Sequence, residues 1–319
     1  MRVSYDEAIK IIAEKGLDEA ANQIKEVVLG TYQLVQNCTL NFSIDKHFDG
    51  IKPVRFFINK IPIYLGLGSD NYLLGGNLPQ YDDALNSHYP GDFRNGSGHL
   101  LENLLLGKHV DVVAFGYVTD LHPKQRIKTT LTLKDFNDTF FNVLIPSTKK
   151  VYGFINSSNS TMYSDLGVIK ENSLTINYGT NGFFELMSSL PNIGNIKESF
   201  IGGAKGEVYK NKNYIFLTAD FKDFNPYYFQ GASLAGFGVG AFIGMGVVYP
   251  IKSKHCLEII SQNETRKFEI FDIARDKELV GNVTYQELKN EYVSLNDMRI
   301  KTNSIISHQR INKIYSELI

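Results

Sequence analysis

Apolar positions recur along this chain with two periods, and the two periods predict a mixture of helices and strands. Ser4 followed by Glu7 has the spacing of a helix-opening capping box. Ala8, Ile11 and Ile12 carry the helical period past Gly16 into a second helical stretch near residues 18–28. Residues 54–65 (VRFFINKIPIYL) alternate around Asn59-Lys60 and read as a hairpin. A short helix is expected over 69–74, stopped by Gly75-Gly76, then an aperiodic loop over 77–95. Residues 99–106 have helical spacing ended by Gly107, and 110–118 reads as a strand. Thr132 and Asp135 form a second capping box, predicted to open a helix to about Phe141. Strands are expected at 151–156, 198–202, 206–210 and 213–219, with a turn at 156–159. Thr284 and Glu287 predict a helix to about 297, followed by another over 302–317. The predicted class is α+β, or α/β: a mixed sheet body with short helices over 1–283 and a helical C-terminal tail over 284–319. Ile300, Ile305, Ile306, Ile311 and Ile314 suit that tail to clasp its own subunit or a dimer mate.

One run breaks both periods. Gly231–Ile251 (GASLAGFGVGAFIGMGVVYPI) is uncharged throughout and contains six glycines. Its length suggests a membrane helix, but each interior glycine weakens a helix by roughly 0.8–1 kcal/mol, and Pro250 closes the run. A buried strand–turn–strand element is the better expectation. Close backbone packing and contact with a ligand both account for the glycines.

Composition narrows the function. The 319 residues carry 33 basic and 34 acidic side chains, for a formal charge of −1. That balance gives no footprint for nucleic acid and no polybasic membrane patch. The charged N-terminus lacks a signal-peptide core, so the cytoplasm is the expected compartment. The two cysteines, Cys38 and Cys256, form no CxxC and predict neither a disulfide framework nor a zinc site. The seven histidines show no ligand spacing, so no metal ligand is assigned and metal content is left open, and no fingerprint identifies a cofactor.

Several segments carry candidate chemistry. Gly96-Ser97-Gly98-His99 enters a helix, where free N–H groups attract anions and the dipole favours a neutral imidazole. A packed or capping histidine is the other reading. Tyr117, Asp120 and His122 come after a strand. Asp120 and His122, two apart, share a face if the chain stays extended and pair as carboxylate and imidazole, or else form an ordinary turn. Asn156, Ser157 and Ser158 suit a carboxylate or phosphate, or a polar turn. Gly236, Gly238 and Gly240 allow close approach of a substrate. The loop over 201–206 lacks the P-loop pattern. Cys38, among polar neighbours, reads as a nucleophile or as a small core thiol. Cys256 comes after Lys254 and His255 and also reads as the edge of a strand.

Taken together, GSGHLLENLLLGK (96–108), FGYVTDLHPKQRI (115–127), INSSNSTMYSDLGVI (155–169), FIGGAKGEVY (200–209) and YFQGASLAGFGVGAFIGMGVVYPI (228–251) resemble the homocysteine biosynthesis enzyme, sulfur-incorporation family of archaea and anaerobic bacteria. Weaker matches cover 40–42 and 59–76. The resemblance implies insertion of sulfide-level sulfur into aspartate semialdehyde, with a small ferredoxin-like or sulfur-donor protein as partner. It also implies pocket roles for His99, Glu102, Tyr117, Asp120, Asn156, Ser157 and Tyr163. Family members often carry a C-terminal regulatory domain, which this chain is expected to lack. Two family cysteine registers fall on Leu34 and Leu121, while Cys38 is displaced by four positions from the first.

Three functions are compatible with these residues. The first is a sulfur-incorporating enzyme, with Cys38 carrying sulfur, His99 or the Asp120–His122 pair moving protons, and Asn156-Ser157 with the glycine-rich segment holding a carboxylate. The second is a diverged homologue running a sulfur-independent reaction on a related substrate. The third is a non-catalytic small-molecule-binding subunit. A homo-oligomer, most simply a dimer, is expected.

Overall fold

The computed structural model describes residues 1–44, 48–66, 71–80, 95–147, 151–164, 166–177, 182–234, 238–296, 298–302 and 308–319. β1 (Arg2–Ser4) runs into α1 (Tyr5–Gln23), capped by Ser4, whose Oγ accepts the Glu7 N–H at 3.3 Å. Gly16, at φ 78°, kinks the helix. The helix stops at Gln23, short of the expected 28, because Val27 and Val28 belong to β2 (Glu26–Val35). β3 (Cys38–Ser43) is next, and then the hairpin β4 (Pro53–Ile58) and β5 (Ile61–Leu65). Its turn residues Asn59 and Lys60 both take positive φ, as a two-residue primed turn requires. The helix expected over 69–74 is corrected: residues 71–75 form β6 (Asn71–Gly75), in which alternate Tyr72 and Leu74 are buried.

α2 (Ser97–Leu105), β7 (Val110–Gly116) and β8 (Arg126–Leu131) come next. The Thr132–Asp135 capping box is present but closes a single 3-10 turn. The predicted helix to Phe141 gives way to β9 (Asn137–Pro146), because Phe141, Val143 and Ile145 bury every second position. The chain continues through β10 (Tyr152–Ile155), β11 (Met162–Ser164), β12 (Gly167–Ile169), β13 (Ser173–Ile176), α3 (Phe183–Ser189), β14 (Ser199–Ile201), β15 (Ala204–Lys210) and β16 (Tyr214–Asp220). The last group is β17 (Phe229–Leu234), β18 (Gly238–Pro250), α4 (Lys254–Thr265), β19 (Lys267–Asp272), β20 (Glu278–Thr284), α5 (Tyr285–Leu288), β21 (Tyr292–Leu295), β22 (Met298–Thr302) and α6 (His308–Leu318). The helix expected from Thr284 to 297 is the single turn α5, and the last helix begins at His308 rather than 302. Between them Val293, Leu295, Ile300 and Thr302 are buried at strand spacing. Cys256 lies in α4 and not at a strand edge.

The architecture is α+β. A fourteen-stranded sheet runs β1-β2-β18-β14-β15-β16-β9-β3-β6-β5-β4-β7-β8, with β17 also paired to β18. A second sheet of six strands runs β20-β19-β10-β13-β22-β21 and has its own apolar core. It draws on residues 152–176 and 267–302, from both sides of residue 283.

Gly231–Ile251 is the β17–β18 hairpin, with 235–237 outside the described residues. Its two faces do different work. Ala241, Ile243, Met245, Val247 and Tyr249 belong to the main core, and Val239 is buried beside Gly96. On the other face a Cβ at Gly246 would lie 2.8 Å from Leu318 and 2.9 Å from Ile314, and one at Gly244 3.2 Å from Ile314. The glycines therefore let α6 lie against the sheet. No helix among the described residues is long and apolar enough to cross a membrane.

Candidate functional site

The head of α2 brings His99 together with part of the glycine-rich hairpin, while six of the other candidates stand elsewhere. Gly96 is its N-cap, in extended conformation. The Ser97 N–H donates to Leu78 O at 2.8 Å, and Ser97 Oγ accepts the Leu78 N–H at 3.1 Å. The helix then lies directly on the β17–β18 hairpin. A Cβ at Gly98 would fall 1.7 Å from Gly240 O, and one at Gly231 would fall 2.6 Å from both His99 Cα and His99 N. Backbone touches backbone here, and only glycine permits it. Glu102, one turn on from Gly98, accepts the Gly231 N–H on Oε2 at 3.1 Å. The neighbouring corner is tied in by Gln36, whose Nε2 donates to Val239 O at 3.0 Å. Gln36 O in turn accepts the Cys38 N–H at 2.9 Å, and Cys38 O accepts the Gly76 N–H at 2.7 Å. Gly98, His99, Gly231 and Gly240 thus form one junction, with Cys38 two residues along from Gln36 at its corner. Gly236 lies outside the described residues.

His99 is half-buried, and its Nδ1 is buried with no hydrogen-bond partner among the described residues. Burial holds its pKa below the usual 6.5, with the Glu102 charge pulling the other way. The ring is accordingly neutral at pH 7, able both to accept and to donate a proton. Cys38 is different. Its side chain is 2% exposed, and burial pushes the thiol up to about 12. A Cβ at Gly76 would lie 2.1 Å from Cys38 Sγ. The thiol is protonated at neutral pH and packed against main chain. Cys256 is buried too; burial raises its pKa, but hydrogen bonds from Tyr249, Ser253 and the backbone outweigh that and lower it.

The other candidates stand elsewhere. Gln80 Nε2 donates to Asn59 O, and the Asn59 N–H donates to Asp111 O, so the chain beside α2 sits near the start of β7. Tyr117, Asp120 and His122 leave β7 at its other end, five residues and about 16 Å further along the strand. Tyr117 is 75% exposed and Leu121 84%. His122 Nδ1 lies 3.3 Å from Thr119 Oγ1, which also accepts the His122 N–H. The imidazole is thus turned to Thr119 within the loop.

Asn156, Ser157 and Ser158 close the end of β10 in the six-stranded sheet. Asn156 is buried, and its side chain is fully engaged. Nδ2 donates to Ser160 O at 2.6 Å and Ile169 O at 3.0 Å, and Oδ1 accepts from the N–H and Oγ of Ser158. The Ser157 N–H goes to Asp272 Oδ1 at 3.2 Å. Asp272 is fully buried and also caps the turn after β19 through Ala274 N–H. The sequence offered no sign of this contact, because its partners are 115 residues apart. Gln36 was equally hidden, its role depending on a strand two hundred residues away.

A family model described as homocysteine biosynthesis enzyme, sulfur-incorporation, matches residues 2–319. The chain belongs to that family. Two relatives are named L-aspartate semialdehyde sulfurtransferase. The protein from Methanosarcina acetivorans is 27% identical over 335 residues, covering 99% of this chain and 65% of its own length. The one from Methanocaldococcus jannaschii is 23% identical over 343 residues, covering 99% and 66%. The chain therefore spans just under two thirds of each. No solved structure matches.

Proposed function

We propose that this chain incorporates sulfur into L-aspartate semialdehyde, or a close analogue, at the junction of α2 with the β17–β18 hairpin. Family membership across the whole chain and the names of the two relatives support the chemistry. The observation that carries the choice of site is His99: a neutral imidazole with an unsatisfied buried nitrogen at the head of a helix. Its role is to take the proton of the attacking hydrogen sulfide and return it to the carbonyl oxygen as sulfur adds to carbon, and general acid–base groups of this kind contribute about 10²–10⁴-fold. The Ser97 N–H is taken by Leu78 O, which leaves the Gly98 and His99 N–H groups of the first turn for the substrate carboxylate.

The balance of the reaction bears on partners. Aldehyde and hydrogen sulfide give a thiohemiacetal. Loss of water and addition of two electrons and two protons then give the thiol of homocysteine. An electron donor is needed, and a ferredoxin-like protein fits that need. Cys38 is too buried to serve as the first acceptor of sulfur, so sulfur is delivered as sulfide or by a donor protein.

The test is a mass-spectrometric assay of homocysteine from L-aspartate semialdehyde, sulfide and a chemical one-electron reductant. Product is expected with the parent chain and lost with His99→Ala. Full turnover by His99→Ala removes His99 from the reaction. The burial of Cys38, together with Leu34 and Leu121 at the family cysteine registers, favours a second reading in which a related substrate reacts without sulfur. Consumption of substrate without sulfide selects that reading. Tight retention of a metabolite with no turnover selects a binding subunit.

A further inference from the structure

The far end of the large sheet carries a groove of about 900 Å³ on the face of β4, β7 and β8. It does not include His99 or Cys38. We infer that this groove binds a small organic phosphate with a flat apolar body, a molecule of nucleotide size.

Strand register builds the site. Arg55, Phe115 and Arg126 stand in one cross-strand row, and Phe57, Val113 and Lys128 in the next. Phe57 meets the Phe115 ring edge-on at 6.4 Å. Phe57, Val113 and Phe115 are half-buried and form an apolar floor. Both guanidinium groups lie over the Phe115 ring, Arg55 at 5.7 Å and Arg126 at 5.3 Å from its centre. The ring holds them in place, which lowers the entropy lost when they grip an anion.

Arg55, Lys60 and Lys128 line the groove, and Arg126 borders it over the Phe115 ring. Strand spacing puts Arg55 and Arg126 about 10 Å apart at the backbone, with Lys128 about 7 Å along from Arg126. No carboxylate among the described residues pairs with Arg55, Arg126 or Lys128. Asp111 also lines the groove, but it stands a row beyond Lys128 and makes no ion pair among the described residues. Like charges held this close repel, and a bound anion relieves them. Guanidinium groups suit phosphate because two N–H groups reach two oxygens. Asn59, Gln80 and Thr129 line the other end, where Gln80 Nε2 donates to Asn59 O and Asn59 Oδ1 accepts the Asp111 N–H. The volume falls in the range of about 300–1,000 Å³ usual for small-molecule sites. A second copy meeting this face through a twofold axis would set arginine against arginine, which argues against a self-interface.

The groove is a site in its own right and does not rest on sulfur incorporation. It does touch the proposed active site through one short segment. Gln80 lines it, and Leu78, two residues earlier, is bonded to Ser97 at the head of α2.

The experiment titrates the full chain with mant-ADP, read by fluorescence, and displaces the probe with ADP, adenosine or inorganic pyrophosphate. Saturable binding is expected, with ADP displacing better than either fragment and added salt weakening it. Arg55→Gln and Lys128→Gln should each weaken binding about tenfold. Both side chains are exposed, so melting temperatures should stay at the parent value; Arg55→Lys keeps the charge and should keep part of the affinity. Thr130→Gln, on the same face beyond the groove, should bind like the parent. The inference is overturned by no saturation at about 1 mM probe, by equal displacement from pyrophosphate and ADP, or by unchanged affinity in the Arg55→Gln/Lys128→Gln double variant.

Discussion

Replacing Gly98 by alanine tests whether backbone contact between α2 and the β17–β18 hairpin holds the site together. The new Cβ would sit 1.7 Å from Gly240 O and 2.6 Å from Gly240 C. A comfortable carbon–oxygen contact is about 3.3 Å, so helix and hairpin must separate by about 1.5 Å. The opposing atoms belong to a paired strand and cannot swing aside as a side chain would. Overpacking costs about 1–3 kcal/mol, and the rigid partner puts this case near the top, at about 3 kcal/mol. At roughly 2 °C per kcal/mol for a chain of this size, the melting temperature should fall by about 6 °C. Displacement by an ångström at a reacting centre costs about a hundredfold in rate, so homocysteine formation should fall by about that factor well below the melting point. Gly107→Ala is the control. It also lies on α2's flank, at φ 70°, but nothing lies within 4 Å of its added Cβ. It should cost only the left-handed backbone penalty, about 1 kcal/mol. Circular-dichroism melts and the homocysteine assay read both variants. If Gly98→Ala melts within a degree of the parent and turns over normally, the helix does not rest on the hairpin as described.

Three further outcomes are expected from the same geometry. His99 binds its proton less tightly in the folded chain than in the unfolded one, so its contribution to stability should be full above pH 6.5 and be lost below it, as pH falls through the lower folded value; His99→Gln should flatten this slope in chemical denaturation. Cys38, held up to about 12, should resist iodoacetamide at pH 8 in the native protein and react once guanidinium unfolds it, with peptide mass spectrometry reading the label. Asn156→Ala should lower stability by about 2 kcal/mol, measured by urea unfolding, because it strips partners from buried groups; a normal melt with a raised KM would instead make Asn156 a substrate ligand.

Local signals were legible where the structure they call for is local. Asn59-Lys60 predicted a turn, and the turn is there, because two positive φ angles are a property of two residues. Ser4 and Glu7 likewise mark the start of α1. The capping boxes at Thr132 and Thr284 were also real, yet each is satisfied by one turn and does not specify the conformation of the residues after it. Strand pairing decides that conformation. β9 lies between β3 and β16, and β22 lies between β13 and β21, so strand partners up to 128 residues distant override the helical reading (Leu174 pairs with Thr302). The site was half legible for the same reason. Gly96–His99 announces a helix head, but that Gly231 and Gly240 are its seat depends on a contact no spacing reveals. Asn156 looked like a free binding group because Ile169 O, which saturates it, is set beside it only when β11 and β12 fold back.

The thiols limit how sulfur can move. A persulfide on Cys38 would place a second sulfur about 2.05 Å from Sγ. Toward Gly76 that space is closed: a Cβ there would already stand 2.1 Å from Sγ, so only the glycine hydrogen fits. The thiol is also protonated at neutral pH, so it has little thiolate with which to attack a donor. Leu34, at the first family register, lies on the opposite side of Gln36, with its Cδ1 3.3 Å from a Cβ built on Gly240. Leu121, at the second, stands in the exposed loop after β7, away from the α2 junction. Neither residue carries sulfur. On the proposed reading, chemistry at the junction would combine a neutral imidazole, helix N–H groups and a sulfur atom supplied from outside the chain. Turnover that saturates with free sulfide and survives Cys38→Ser is the behaviour this arrangement requires, and loss of turnover in Cys38→Ser with an unchanged melt would return the thiol to the mechanism.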